Sequence, residues 1–559
     1  MKLPKILSDK AILQRDRENT IWGQSSPGAD IKVTVSGEND RADYHGKADD
    51  AGNFEVKIAP KAAGGPYTIE VCDLTGNEKL VINDVLFGDV FLLAGQSNME
   101  LTIRKTLDLT EEHMKHVNNP LIRHFEVSKE PVFGRKSEDL SGGAWLPATS
   151  EYVYDFSALG FFYAEHVLED FGIPVGLVQT AVGGAHIEAL MDEDRLKLIN
   201  EKLKDMAVKR GEDISDCDCD ENNSCKVCCE RKIEADKDSE AVRMISETEL
   251  KKQSEWCERL DAADRGLTEK WYEKTDLNED GFINIPDLWE ENPARYRELV
   301  DVRGAIWVYK SISLTAEQAA KKAKLFMGMT IDSDDTYING VKIGHSDCRY
   351  DHARYDVPEG LLREGINTIF VRVVANGRCG GFVPQMPYFL RLGDEKLTLN
   401  GEWRYKIGHD LPKGAELLKD ITFYIWRPCG LYNGMLYPLR HLNFKGMMFY
   451  QGESNAGHAW EYEFLLREFV DEMRELYNDD DLPFVYIQLP YWGQEGKGRH
   501  SASWEFLRDA QARAQDIKNA TMVDIYDLGF EYELHPQNKM EVADRVYRQW
   551  KIYEQNTVG

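Results

Sequence analysis

The sequence contains no apolar run long enough to cross a bilayer, which excludes a membrane-spanning helix. Positive charge is also scarce: 68 Lys and Arg stand against 97 Asp and Glu, a net charge of -29. Such a field repels phosphate backbones and anionic lipid surfaces, so neither nucleic acid nor a membrane is an expected partner. A neutral substrate fits it better than an anionic one. The opening MKLPKILSDKAILQRD lacks the apolar core of a secretory signal. Of ten cysteines, five crowd into CDCDENNSCKVCC as Cys217, Cys219, Cys225, Cys228 and Cys229. Thiols at that density fit a reducing compartment, and cytoplasmic residence is expected. A structural zinc site usually needs two well-separated pairs, so free thiols or a local disulfide are favoured over metal there.

At 559 residues the chain is too long for one core. Residues 1–87 alternate in short strand-like runs broken by Gly, Pro, Asn and Asp, the pattern of a small β-sandwich. From 88 onward strands alternate with amphipathic helices, which predicts a parallel sheet covered on both faces. Within 88–265, residues 193–265 read as a charged helical excursion. The block 266–412 is β-rich, with a hairpin on Asn339-Gly340 and a β-prone run at 367–374. The α/β pattern resumes at 413–559. The predicted fold class is α/β: a three-layer α/β/α domain, interrupted by a β-rich, jelly-roll-like insertion and preceded by a β-sandwich. The stretch 276–287, DLNEDGFINIPD, has the oxygen spacing of a calcium loop. Asp287 in the last ligand position and Pro286 beside it favour an ordinary acidic turn.

Four loops stand at the expected carboxyl ends of strands. Val90 to Ala94 runs uninterrupted into Gly-Gln-Ser-Asn, exposing Ser97 at a sharp break. Val175 to Thr180 leads into AVGGAH, where Gly183 and Gly184 offer unobstructed N–H groups. Phe444 to Tyr450 leads into QGESNAG, and His535 lies just ahead of a last helix that begins near Pro536. In an open α/β sheet such loops share one rim. Acyl transfer by a serine needs a nucleophile, a base, a group that orients the base, and donors for the oxyanion. The rim offers a candidate for each.

GQSNM at 95–99, the paired glycines, GESN at 452–455 and ELHPQNK at 533–539 resemble the signature blocks of the SGNH hydrolases, and more narrowly the sialate O-acetylesterase-like carbohydrate esterases. AILQRD, GDVFLLAGQSNME, YNGMLYPLRHLNFKGMMFYQGESNAG and QLPYW extend the resemblance in order along nearly the whole chain. It implies an SGNH-type fold, Ser97 as nucleophile and His535 as general base. It further implies an oxyanion hole of the Ser97 N–H, a Gly183 or Gly184 N–H, and the Asn455 amide. Glu533 stands where the family commonly has Asp, with Glu531 and Asp527 as alternative partners for His535. Gln96, His186, Gln451 and Glu453 are candidate substrate contacts, and Tyr450, Trp492 and Trp504 candidate sugar platforms. The resemblance implies removal of O-acetyl groups from an acetylated mono- or oligosaccharide, either acetylated sialic acid or plant-type xylan or mannan fragments, through an acetyl-serine and without metal or organic cofactor. A homo-oligomer is possible. The alternative is a catalytically silent carbohydrate-binding protein.

Overall fold

The computed structural model describes residues 1–210, 233, 236–237, 239–275, 277–376, 380–415, 417, 424–493 and 500–557. The cysteine cluster at 217–229 and Asp276 lie outside the described residues. The chain forms two compact units, one of residues 1–244 and 423–559, the other of residues 245–422. None of the described helices is long and apolar enough to cross a membrane.

The first unit is built on six parallel strands: β1 (Glu78–Gly95), β2 (Asn119–Glu126), β3 (Val175–Gln179), β4 (Gly446–Tyr450), β5 (Phe484–Ile487) and β6 (Ala520–Val523). Their order across the sheet is β6-β5-β4-β1-β3-β2, with Trp145–Ala148 antiparallel at the β2 edge. Every residue from Val90 to Ala94 is buried because helices cover both faces. On one face Phe91 meets Tyr163 of α1 (Ala158–Phe171) and Trp550 of α4 (Lys539–Thr557) edge-on, with ring centroids 5.1 and 5.2 Å away. Phe449 pairs with Ala94, three residues beyond Phe91, and so points to the opposite face. There it packs at 4.7 Å on Phe469 of α2 (Ala459–Leu476), which lies beside α3 (His500–Arg513).

The amino-terminal strands are not set apart from this sheet. The first half of β1 pairs with Gly64–Asp73 and Ile12–Gln14, and its second half with β3 and β4. Residue 87, expected to end a separate domain, lies inside this 18-residue strand. Asn19–Gln24 and Asn53–Ile58 form a second small antiparallel sheet. The charged stretch beyond 193 is helical at Glu193–Arg210 and Ser239–Ala263.

The second unit begins and ends outside the 266–412 read from the sequence. It holds a six-stranded antiparallel sheet and a four-stranded one, with Trp403, Val308, Val371 and Leu390 in its core. Asn339-Gly340 turns the hairpin between Ser333–Ile338 and Val341–Ser346, both residues at positive φ as a two-residue turn requires. The candidate calcium loop is otherwise employed. Gly281–Ile285 pairs with residues 401–405, and Asp287 accepts from Tyr296 and Asn292, each at 2.6 Å. Asp280 caps the Ile407 N–H at 2.9 Å. Among the described residues no group of three or more His, Cys, Asp or Glu side chains is placed to hold a metal.

Candidate active site

Strand β1 ends on Gly95, whose φ of +125° and closeness to the Tyr450 carbonyl leave no room for a side chain: a Cβ there would sit 2.1 Å from that oxygen. The Gln96 N–H then donates to the same carbonyl, and the chain breaks into the short helix Ser97–Glu100. The break presents Ser97, whose Oγ lies 2.8 Å from His535 Nε2. His535 sits in the loop before α4, which begins at Lys539, three residues beyond the expected Pro536.

The other two loops are laced to this turn. The Val182 N–H donates to the Gly95 carbonyl, and Ser454 Oγ to the Gly184 carbonyl at 2.8 Å. Asn455 Oδ1 accepts from the Ile187 N–H at 3.1 Å, while its Nδ2 donates to Glu188 at 2.9 Å. One hydrogen of that amide is thus used, and among the described residues the other meets no acceptor. The two glycines differ. The Gly183 N–H donates to the Glu100 carboxylate, which is also paired with Lys129. Among the described residues, neither the Ser97 nor the Gly184 N–H meets an acceptor.

Behind Ser97 lies a buried polar cluster. Asn98 Nδ2 donates to Glu453 Oε1 at 2.6 Å and to the Leu534 carbonyl at 3.1 Å, and Asn98 Oδ1 accepts from Lys539 Nζ at 2.6 Å. Burial pushes the Glu453 carboxyl up to about 7 against the pull of its Asn98 bond. Burial also pushes the Lys539 ammonium down to about 7, opposed by the charges of Glu453 and Glu533. Of the three candidate partners for His535, Asp527 is held by both Arg545 Nη atoms at 2.6 and 2.7 Å, Glu531 is exposed, and Glu533 is buried in the His535 loop.

The family model for "carbohydrate esterase, sialic acid-specific acetylesterase" matches residues 87–215 and 423–543, which carry all four loops. Across these segments the chain is similar to the sialic acid-specific acetylesterase family of carbohydrate esterases. Sialate O-acetylesterase of Mus musculus is 28% identical over 201 residues, covering 33% of this chain and 36% of that protein. The Homo sapiens protein of the same name is 29% identical over 208 residues, covering 34% and 39%. The match thus spans little more than a third of these relatives' length. A crystal structure of a carbohydrate acetylesterase from Xanthomonas citri shares the mixed α/β fold at 21% identity, with a TM-score of 0.53 over 98% of this chain and 73% of that one.

Several side chains that the sialate O-acetylesterase-like blocks suggested as substrate contacts serve the scaffold instead. Gln451 is 1% exposed; its Nε2 bonds Gln96, Ala185 and Asn455, and its Oε1 accepts from Tyr462. Gln96 is buried too, its Oε1 accepting from Gln451 and the Ser454 N–H. Tyr450 is fully buried because β4 is covered on both faces, so its ring is no sugar platform. Trp504 is buried with its Nε1 on the Pro490 carbonyl, and Trp492 packs on it at 4.8 Å. His186 is buried as well, and the Glu453 carboxylate faces Asn98. The aromatic actually beside the glycine turn is half-buried Trp426, whose Nε1 donates to the Gly183 carbonyl at 2.6 Å. Its ring lies where a Gly184 Cβ would be. No local spacing in the sequence marks Trp426, whereas Lys539 stands inside the ELHPQNK block itself.

Proposed function

We propose that this protein is a serine carbohydrate O-acetylesterase that removes acetyl groups from sugars through an acetyl-serine intermediate. The observation that carries the reading is the 2.8 Å contact between Ser97 Oγ and His535 Nε2 at the carboxyl ends of β1 and its neighbours. His535 Nε2 takes the Ser97 proton as Oγ attacks the acetyl carbonyl carbon. The tetrahedral oxyanion collapses, the C–O bond to the sugar breaks, and the imidazolium returns its proton to the leaving sugar oxygen. Water then attacks the acetyl-serine with His535 again as base, releasing acetate and restoring Ser97. Glu533, buried in the same loop, supplies the charge that orients the imidazole.

For the oxyanion we assign the Ser97 N–H, the Gly184 N–H and the remaining Asn455 Nδ2 hydrogen. Gly184 is favoured over Gly183 because the Gly183 N–H already serves Glu100. These are fixed, neutral dipoles that need no reorganisation as charge develops. The substrate class is an acetylated mono- or oligosaccharide: acetylated sialic acid, as the relatives' names suggest, or acetylated plant-type oligosaccharide. Trp426 is the aromatic best placed to meet the sugar.

Acetate release is measured from acetylated sialic acid, acetylated xylo-oligosaccharide and acetylated manno-oligosaccharide with wild type and Ser97→Ala. Turnover abolished by the substitution is the expected result, and the preferred sugar selects between the two branches. Glycan binding without acetate release from any substrate would replace the esterase reading with that of a silent binding protein.

A further inference from the structure

We propose that Asn98, Glu453 and Lys539 are positioning residues that lock the His535 loop to the nucleophile turn through a single amide held in one orientation. The inference rests on the esterase reading above. Asn98 directly follows Ser97, and Leu534 directly precedes His535, so the 3.1 Å bond from Asn98 Nδ2 to the Leu534 carbonyl ties the neighbours of both reacting side chains together. An amide can be turned end for end at little steric change, which would set its oxygen against the Leu534 carbonyl and break the tie. Glu453 and Lys539 prevent that. A carboxylate at 2.6 Å demands the NH₂ end, and an ammonium at 2.6 Å on the other side demands the oxygen.

The surroundings make this polarity strict. Lys539 is 0% exposed, and its Nζ sits between the Asn98 oxygen and the Tyr450 ring, 5.1 Å from the ring centroid. Glu453 Oε2 is buried and meets no hydrogen-bond partner among the described residues, so Asn98 is the principal anchor of that carboxyl group. The charged groups facing the amide are therefore Glu453 from the loop after β4, Lys539 from the start of α4, and Glu533, whose charge acts on Lys539. Two costly buried ionisable groups bracket one neutral side chain. In the contacts described above neither touches Ser97 or His535, and Asn98 is the side chain that links both of them to the nucleophile turn.

The test uses the full chain and a chromogenic acetyl ester. Asn98→Asp keeps the shape but removes both N–H donors, and is expected to lower kcat on the order of a hundredfold at pH 8, as a displaced reacting pair does. KM should stay within about threefold. Below neutrality, once Glu453 is protonated and donates to the introduced carboxyl group, a second proton on that group can be donated to the Leu534 carbonyl and the tie re-forms, so the deficit relative to wild type should narrow by about tenfold between pH 8 and pH 6. A second pair guards against misfolding: Glu453→Gln keeps an acceptor for Asn98 and should retain most activity, whereas Glu453→Leu should not. An Asn98→Asp deficit that is absent or equal at all pH values, or Glu453→Gln as impaired as Glu453→Leu, overturns the inference. Wild type with no acetyl-ester turnover overturns the esterase reading instead.

Discussion

His535 Nε2 and Ser97 Oγ lie 2.8 Å apart although 438 residues separate them along the chain. If this contact carries proton transfer, His535→Gln should lower kcat by about a thousandfold or more while leaving the fold intact. Stoichiometric labelling of Ser97 by an organophosphonate should slow in the same variant. Labelling at an unchanged rate would show that His535 does not activate Ser97.

Glu533 and Asp527 make a paired prediction. Asp527 is fully engaged by Arg545, so Asp527→Asn should leave kcat within about threefold of wild type. Glu533→Gln should lower kcat by about a thousandfold or more, the range seen when a triad carboxylate is neutralised. Steady-state kinetics of both variants decide it; the reverse ranking would reassign the third member.

Gly184 combines a φ of +75° with a ring that occupies its Cβ position, 2.1 Å from Trp426 Cζ2. Gly184→Ala should therefore lower stability by about 1–3 kcal/mol and cut turnover. Adding Trp426→Ala relieves the clash but not the backbone strain, so partial recovery of thermal stability is expected. Full recovery, or none, would mean that the two effects have been wrongly divided.

His124 gives a pH prediction away from the site. It is buried, 3.3 Å from Gln179 Oε1 and stacked on Phe156 at 4.7 Å, and burial pushes it down to about 4 from an ordinary value of 6.5. The folded imidazole stays neutral while the unfolded one takes up a proton. Stability is thus fully present above 6.5 and lost as pH falls from 6.5 toward 4, at up to about 1.4 kcal/mol per pH unit. His124→Gln removes that slope. Denaturation curves at pH 7 and pH 5 should show wild type losing stability relative to the variant; parallel profiles would contradict the burial argument.

The sequence made some of this legible. Val90 to Ala94, bounded by the turn that follows, announces a doubly covered strand, and Asn339-Gly340 announces its hairpin, because each signal is local. What it misassigned were polar and aromatic residues inside the motif blocks. Gln96 and Gln451 look like ligands for substrate, yet a sharp turn at the end of a buried strand leaves backbone groups that need partners, and these amides supply them. Tyr450 and Trp504 look like platforms only until the covering helices are in place. Trp426 meets Gly183 from 243 residues away, a relation that no spacing pattern encodes.

The length of β1 has a consequence for how the protein comes apart. One unbroken strand carries the ladder of the amino-terminal sheet in its first half and the parallel sheet that bears Ser97 in its second. There is no seam at which one can melt while the other stands. Amides of Ile69–Val71 and of Leu177–Gln179 should therefore exchange with deuterium at a common rate under globally limiting conditions. A chain begun at residue 88 would bring to folding the strand that leads to Ser97 stripped of the scaffold that holds its other end.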